Sequence, residues 1–323
     1  IIRDLTDESV GKDKVFEEIK IVRGGLLREI NLPITRTTST VGKVEQESTY
    51  VNVLSSIGIM LLTRFSKFGR AFDKVDVDLT LSLPTEDTRS TKRVNNFKER
   101  LSGVYKIEIP RLGFEVIISL KPQNIFIEDE SQSALRYWAT VNQQSVDSLD
   151  RVIIIDGGGR SFDFGFLEKG RLNGRGCKTI PFGGNKFEEY VREHYVNNND
   201  VNEPSLQMIR EALDGGLLQD GNNVIKIVDS IKHAKNKIAK DVMAGLNQVF
   251  DSTGVTPTMI NLVICTGGCF KTSGDKELGT YVASLERYIE KYYKKASPNT
   301  DFTRLKEEYP IVKGLVFYRM SLG

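Results

Sequence analysis

The segment Val152–Asp163, with the sequence VIIIDGGGRSFD, contains an apolar run, an aspartate and three consecutive glycines in that order. An unbroken run of β-branched residues is typical of a strand that is buried on both faces. Phe162–Leu167 is again strand-like, so the glycines lie where the chain turns back. The segment therefore predicts two buried strands joined by a glycine turn.

The chemistry of this turn suits a phosphate group. Glycines have no Cβ atom, so their backbone N–H groups can approach phosphate oxygens closely, and Ser161 adds a hydroxyl donor. Asp156 lies at the strand end, where its carboxylate can hold Mg²⁺ through water, because this ion keeps most of its hydration shell. An ordinary hairpin, in which the glycines only satisfy turn geometry, explains the segment equally well in isolation.

Two further turns contain paired glycines. Gly267 and Gly268 follow the apolar strand Met259–Cys265, and Gly183 and Gly184 open a helix whose first N–H groups would favour an anionic neighbour. Each of these turns alone is compatible with an ordinary connection between elements. Three such turns, each at the end of an element, together predict a nucleotide site.

Periodic apolar residues predict further elements along the chain. Ser48–Phe65 has apolar residues spaced by three and four, which predicts a core-facing helix. Val75–Leu83 alternates apolar and polar residues, which predicts a strand with one buried face, and Val224–Leu246 has the spacing of a long helix. The polar stretch Gln143–Asp150 precedes the first buried strand, so a first domain is predicted to end there.

Composition limits the classes of function. Lysine and arginine nearly balance aspartate and glutamate over 323 residues, with a net charge of +2, so direct nucleic-acid binding driven by charge is not expected. Three cysteines, Cys177, Cys265 and Cys269, form no even disulfide set and fit a reducing cytoplasm. The longest apolar stretch, Ile57–Leu62, is far shorter than the roughly 20 residues that span a bilayer. We expect a soluble cytoplasmic protein without a membrane partner.

The order of these motifs resembles the actin, chaperone and sugar-kinase ATPase superfamily, and within it the ParM-type bacterial plasmid-segregation actins. The resemblance extends over roughly Ser48–Gly323. It implies an α/β, actin-like (ribonuclease-H-like) fold with two domains around a nucleotide cleft. Residues 1–150 and 309–323 would form the first domain, and residues 151–308 the second.

The resemblance also assigns roles to particular segments. Asp156–Asp163 matches the second phosphate hairpin of the family, and Gly267–Gly268 matches its adenosine loop. Val75–Leu83 with the following basic segment Lys92–Lys98, and the closing segment Tyr309–Phe317, resemble the family's strand, basic helix and last connecting helix.

The resemblance implies a catalytic carboxylate or amide at the start of a helix, which orients the attacking water. Glu130 is the matching residue, with Asp129 and Gln132 as alternatives, although a carboxylate there could equally complement the helix dipole. Lys235 on the long helix is the expected contact to the nucleotide, and a solvated basic face is the alternative. The expected nucleotide-binding residues are Asp156, Gly157, Gly158, Gly159, Arg160, Ser161, Gly183, Gly184, Lys235, Gly267 and Gly268, with Asp156 also holding Mg²⁺ through water.

The sequence departs from the family pattern in two places. Arg160 stands where a small hydroxyl residue is usual after the glycines. The family's first phosphate loop is not found in Ile1–Glu47, and we expect it in residues that precede Ile1.

The resemblance implies a polymerising protein that uses ATP or GTP with Mg²⁺. Its subunits would assemble head to tail into a filament in the bacterial cytoplasm, hydrolysis would control filament stability, and a DNA-binding adaptor would connect the filament to plasmid DNA. The alternative is a non-polymerising small-molecule kinase of the sugar-kinase type. A chaperone ATPase would need a further peptide-binding domain.

Overall fold

The chain divides into two compact units. A computed structural model describes residues 2–4, 15–16, 43–45, 47–68, 74–109, 113–199, 203–213, 215–221, 223–270, 284–305, 311 and 313–316. The first unit comprises Ile1–Leu83 and Asp87–Glu128, and the second comprises Pro84–Glu86 and Asp129–Gly323.

The first part of the chain forms a mixed sheet with helices. Its strands and helices are, in chain order, β1 (Ile2–Asp4), β2 (Val15–Phe16), α1 (Glu47–Phe68), β3 (Lys74–Asp76), β4 (Leu79–Leu83), α2 (Thr85–Thr88), α3 (Thr91–Leu101), β5 (Gly103–Ile109), β6 (Phe114–Leu120) and β7 (Ile125–Asp129). Five strands form one sheet in the order β2-β1-β5-β6-β3, and β4 pairs with β7 in a second, two-stranded sheet.

The helix predicted over Ser48–Phe65 is confirmed as α1. Its regularly spaced apolar side chains, such as Leu54 and Ile57, are buried in one cluster with Ile107 of β5 and Ile118 of β6. The predicted basic helix is likewise present as α3.

The strand predicted over Val75–Leu83 is interrupted in the structure. β3 ends at Asp76, where it pairs in parallel with β6, and β4 begins at Leu79 in the other sheet. The chain passes from one sheet to the other between them, and the Val77 N–H still donates to the Ser119 carbonyl at 2.9 Å. Alternation of apolar residues continues through the break, so the pattern alone does not mark it.

The second part of the chain is built around a larger sheet. Its elements are α4 (Glu130–Val141), β8 (Arg151–Gly157), β9 (Phe162–Glu168), β10 (Arg171–Leu172), β11 (Lys178–Ile180), α5 (Gly184–Asn198), α6 (Leu206–Ala212), β12 (Leu217–Asp220), β13 (Asn223–Lys226), α7 (Val228–Thr253), β14 (Leu262–Thr266), α8 (Leu285–Tyr293) and β15 (Asp301–Arg304). Residues 311 and 313–316 are also helical. The strand order is β10-β9-β8-β14-β15, and β11 also pairs with β9.

This sheet is covered on both faces. The α4 face carries Val152, Ile154 and Leu262, which cluster with the buried residues of α4. The opposite face, called the α7 face, carries Ile153 and Val263, which cluster with α7 and α8. β8 runs antiparallel to β9 and parallel to β14, and burial on both faces explains the unbroken apolar run of β8.

The long helix predicted from Val224 begins four residues later, at Val228. Val224 instead belongs to β13, where it pairs with Gln219 of β12. The hairpin of β12 and β13 takes up Val224–Lys226, so the helical spacing of apolar residues extends beyond the N-terminal end of the helix itself. Among the described helices, none is long and apolar enough to cross a bilayer.

The division into units differs from the predicted domain boundary at residue 150. Helix α4 groups with the second unit, because its Ala134 and Leu135 pack against Val152 and Ile154 of β8. The described residues of the closing segment, 311 and 313–316, also group with the second unit, and a Cβ atom on Gly314 would lie 1.9 Å from the Ser133 carbonyl oxygen of α4.

Candidate functional site

The three predicted glycine turns meet at one end of the larger sheet. The carbonyl oxygen of Gly158 accepts hydrogen bonds from the Gly184 N–H at 3.0 Å and from the Cys269 thiol at 2.9 Å. The Gly159 carbonyl accepts a third bond from the Asn185 N–H at 2.9 Å. A single carbonyl group, that of Gly158, therefore joins all three turns.

Close approach requires glycine at two of these positions. A Cβ atom on Gly183 would lie 2.2 Å from the Gly158 carbonyl oxygen. Gly267 has a φ of +95°, and a Cβ atom there would lie 2.2 Å from Oδ1 of Asp156. Only glycine fits both the backbone conformation and the space at Gly267.

Gly157 has a structural role in the first turn. It is the last residue of β8, and a Cβ atom there would lie within 3 Å of the side chains of Phe162, Cys269 and Phe270. Gly159 and Arg160, by contrast, are exposed. The exposed tip of the turn is therefore the part that a ligand can reach.

The N–H groups at the start of α5 are used within the protein. Those of Gly184 and Asn185 donate to the first glycine turn, and that of Lys186 donates to the Gly183 carbonyl at 2.9 Å. The sequence predicted that these N–H groups face an anion. In the structure, those of Gly184 and Asn185 instead bond the second glycine turn to the first.

A row of polar side chains lies on the α4 face at the same end of the sheet. Asp156 of β8 pairs with Asp163 of β9 on one side and with Thr266 of β14 on the other. Paired residues on adjacent strands point to the same face, which is the α4 face because Ile154 and Ile264 lie there. The row stands at the carboxyl ends of two parallel strands, where open α/β sheets bind ligands.

Asp163 is held firmly in this row. Its Oδ2 accepts a bond from the Ser161 hydroxyl at 2.9 Å, and its Oδ1 accepts one from the Thr179 hydroxyl at 2.6 Å. Ser161, predicted as a phosphate donor, therefore directs its hydroxyl to a neighbouring carboxylate.

Helix α4 begins close to the row. A Cβ atom on Gly165 would lie 2.2 Å from the Ser131 hydroxyl oxygen, so the first turn of α4 packs directly on β9. Gly165 is two residues from Asp163 on the same face, which corresponds to roughly 7 Å along the strand. Glu130, the predicted catalytic residue, is the first residue of this helix and is half-buried.

Asp129, one of the alternatives to Glu130, caps α4. Its Oδ1 accepts bonds from the Ser131 N–H at 2.7 Å and the Gln132 N–H at 3.2 Å. This bonding satisfies two N–H groups that have no intrahelical partner, which is a structural role.

A pocket of about 210 Å³ lies beside the three turns. Roughly 10–15 Å³ of such volume accommodates one water molecule, so the pocket admits an organic ligand. Its lining comes from the three turns and from helices on the α7 face: Gly159, Phe162, Gly183, Gly184, Asn185, Phe187, Glu188, Leu213, Lys235, Ile238, Gly268, Cys269 and Leu285.

Lys235 lies in this pocket and is only 4% exposed. Lys232 and Lys237 on the same helix keep about two-fifths of their side chains in solvent. Lys232 and Lys237 therefore belong to a solvated basic face of the helix. Lys235 does not, because it is buried in the pocket, where the sequence predicts a contact to the ligand.

Two residues that line the pocket, Glu188 and Cys269, were not predicted from the sequence as site residues. Glu188 is buried and accepts two hydrogen bonds of 2.6 Å from Arg210. These bonds raise the pKa of the Arg210 guanidinium.

Burial raises the pKa of the Cys269 thiol to about 12. The negative charge of Asp156 adds to this rise, and a backbone hydrogen bond at Gly184 opposes it. The Cys269 thiol therefore stays protonated and can donate a hydrogen bond. Its position directly after Gly267 and Gly268 is the feature of the sequence that could have pointed to it.

Some sequence expectations lie outside the described residues. The search region for a first phosphate loop, Ile1–Glu47, is described only at residues 2–4, 15–16, 43–45 and 47. In the closing segment Tyr309–Phe317, only residues 311 and 313–316 are described.

No protein-family model and no curated protein matches the sequence. Solved structures do match: the actin-like protein Alp7A has a TM-score of 0.59 at 14% identity, covering 88% of this chain and 77% of that one. Bacillus thuringiensis ParM with ATP has a TM-score of 0.52 at 14% identity, with the same coverage of 88% and 77%. The Alp12 filament structure has a TM-score of 0.51 at 16% identity, covering 82% and 74%. The α/β fold of this chain is therefore the actin-like fold, in the form that ParM and Alp proteins share.

Proposed function

We propose that the glycine turns and the adjoining pocket bind ATP or GTP with Mg²⁺. The observation that carries this proposal is the meeting of three glycine turns at the Gly158 carbonyl, beside a pocket of ligand size. A structurally similar ParM was solved with ATP, which supports a nucleoside triphosphate as the ligand.

The two faces of the sheet divide the recognition of the ligand. The pocket on the α7 face has apolar walls, including Phe162, Ile238 and Leu285, which suit a base and ribose. The buried amine of Lys235 adds a polar group within it. Gly159, at the exposed tip of the first turn, would hold the phosphates between this pocket and the polar row.

The polar row fits Mg²⁺. Asp156 and Asp163 supply carboxylate oxygens, which this ion prefers and commonly contacts through water. When bound, the ion neutralises charge on the phosphate oxygens.

Glu130 is the proposed catalytic residue. It begins α4 near the carboxylate row, and its carboxylate can orient and deprotonate the water that attacks the terminal phosphate. Asp129 is the weaker candidate because it caps the helix. Gln132 has no ionisable group and could only orient the water.

We infer that the hydrolysis cycle controls a head-to-tail filament. Heterologous contacts between identical subunits generate filaments when the rotation between them does not close. The filament formed by the structurally similar Alp12 supports this reading. The proposed role is the movement of plasmid DNA through a DNA-binding adaptor in the bacterial cytoplasm, which agrees with the near-neutral net charge.

Sedimentation tests the filament. Purified protein is centrifuged with ATP, GTP or a non-hydrolysable analogue of each, and we expect a pellet that persists longest with an analogue. Absence of polymer under all these conditions would exclude the filament. Transfer of phosphate to a sugar without polymer would favour the small-molecule kinase.

A further inference from the structure

Thr266 carries a buried hydroxyl that folding alone does not explain. The residue is 1% exposed, and its Oγ1 has no hydrogen-bond partner among the residues that the structure describes. Buried polar atoms in native proteins nearly always have a partner, because a buried hydroxyl without one costs free energy. Among the described residues, the Thr266 hydroxyl therefore lacks the hydrogen bond that would offset its burial.

The position of Thr266 indicates which ligand. It is the last residue of β14 and pairs in register with Asp156 of β8, which pairs with Asp163 of β9. Adjacent strands lie about 4.8 Å apart, so the three side chains form a continuous polar row on the α4 face. Leu262 and Ile264, which precede Thr266 on the same face, pack against α4.

Packing gives no reason for the hydroxyl. The other residues of β14, Leu262–Cys265, are apolar and buried, and a valine would fill nearly the same space as threonine. Threonine differs from valine in its polar atom, so its contribution must come from a contact that this atom makes.

Thr266 also differs chemically from the rest of the row. Ionised Asp156 and Asp163 can only accept hydrogen bonds, whereas a hydroxyl can donate one and accept others. A phosphate oxygen or a water bound to Mg²⁺ next to Asp156 would complete the bonding of this hydroxyl.

We propose that Thr266 contacts the Mg²⁺–nucleotide complex, with its hydroxyl bonded within the phosphate and water shell beside Asp156. This inference rests on the proposed nucleotide function and adds a residue to that site. The contact is absent in the nucleotide-free protein, so its effect should appear in binding and not in the stability of the free chain.

The full chain is compared with Thr266→Val and Thr266→Ser by two measurements: the thermal midpoint without nucleotide, and affinity for Mg²⁺–ATP and Mg²⁺–GTP. Thr266→Val should leave the midpoint unchanged or raise it, because it removes an unsatisfied polar atom, and should weaken binding about tenfold. Thr266→Ser, which keeps the hydroxyl, should recover most of the affinity.

Thr300→Val is the matched control. The Thr300 hydroxyl is equally buried, but it donates to the Ile260 carbonyl at 3.0 Å and bonds to Ser297 at 2.6 Å. Thr300→Val should lower the midpoint and leave nucleotide affinity unchanged.

The outcomes separate the two levels of the proposal. If the wild-type chain binds neither nucleotide, the proposed function itself fails. If the wild type binds and Thr266→Val binds equally well, only the role of Thr266 is overturned. A fall in the midpoint of Thr266→Val as large as that of Thr300→Val would likewise overturn it, since the hydroxyl would then be structural.

Discussion

The thiol of Cys269 donates a hydrogen bond to the carbonyl oxygen of Gly158, 2.9 Å away. The two residues are 111 positions apart in the chain and belong to different glycine turns. The bond therefore fixes the third turn against the first at the wall of the pocket. Since burial keeps the thiol protonated at neutral pH, the donor is always present.

Replacing Cys269 with alanine should loosen this junction. We expect Cys269→Ala to weaken nucleotide binding by roughly fivefold, the value of one ordinary hydrogen bond, and Cys269→Ser to retain more of it. Calorimetric titration with Mg²⁺–ATP measures the effect. Cys177→Ala is the control, because the Cys177 thiol is also buried and donates to the Asn173 carbonyl at 3.3 Å, but is not among the described residues that line the pocket. Equal effects of the two alanine variants would contradict this role.

Alkaline pH provides a separate test of the same thiol. The pKa of Cys269 is about 12 in the folded chain against an ordinary value of 9.0, so the folded state retains a proton that the unfolded state loses. The contribution of this protonated thiol to the free energy of unfolding is complete below pH 9 and is lost as the pH rises towards 12. Between these values the free energy of unfolding should fall by up to about 1.4 kcal/mol per pH unit more in the wild type than in Cys269→Ala. Parallel denaturant curves from pH 8 to 11 would show no such difference if the thiol were exposed.

The adjacent glycines of the third turn should respond differently to alanine. Gly267→Ala combines a φ of +95° with a Cβ atom 2.2 Å from Asp156, so we expect a loss of about 2 kcal/mol or more in stability. A Cβ atom on Gly268 meets no described atom within 4 Å, so Gly268→Ala should change stability by less than about 0.5 kcal/mol. Urea denaturation of both variants measures the contrast, and similar losses would show that the geometry of this turn is wrong.

The sequence predicted these glycines as a group but could not assign their separate roles. Three glycine turns at element ends marked the region, and the unbroken apolar run before Asp156 marked a strand that is indeed buried on both faces. Whether a glycine faces a ligand or another backbone depends on distant segments, as the contact between Gly183 and Gly158 shows. Local sequence contains no record of such contacts.

The same limit applies to the other differences. Val77 and Asp78 interrupt a predicted strand because the chain changes sheets there, although the alternation of apolar residues continues. Lys235 was the expected nucleotide contact, but the sequence left a solvated basic helix face as an alternative, and only the packing of α5 and α7 reveals its burial. The sequence also could not show that the Thr266 hydroxyl has no hydrogen-bond partner among the described residues, because this depends on all of its neighbours in space.

The proposed catalytic residue is tested by separating binding from hydrolysis. Glu130→Gln should bind nucleotide normally and reduce hydrolysis by about 10²–10⁴-fold, because it removes the base without changing the shape of the side chain. Phosphate release and filament lifetime are measured together, and filaments of this variant should last longer in ATP. Asp129→Asn is the control, since asparagine also caps helices and should keep most of the activity. A larger loss in Asp129→Asn than in Glu130→Gln would exchange the two roles.

Binding of Mg²⁺–nucleotide to the wild type and to Asp156→Ala tests the central claim most directly. Asp156 stands between Asp163 and Thr266 in the polar row, so we predict one nucleotide per wild-type chain and a loss of about a hundredfold in affinity for the variant. Asp150→Ala is the control, because Asp150 precedes the opposite end of β8 and is exposed. Equal affinity of Asp156→Ala and the wild type would contradict the account and leave the glycine turn as an ordinary hairpin.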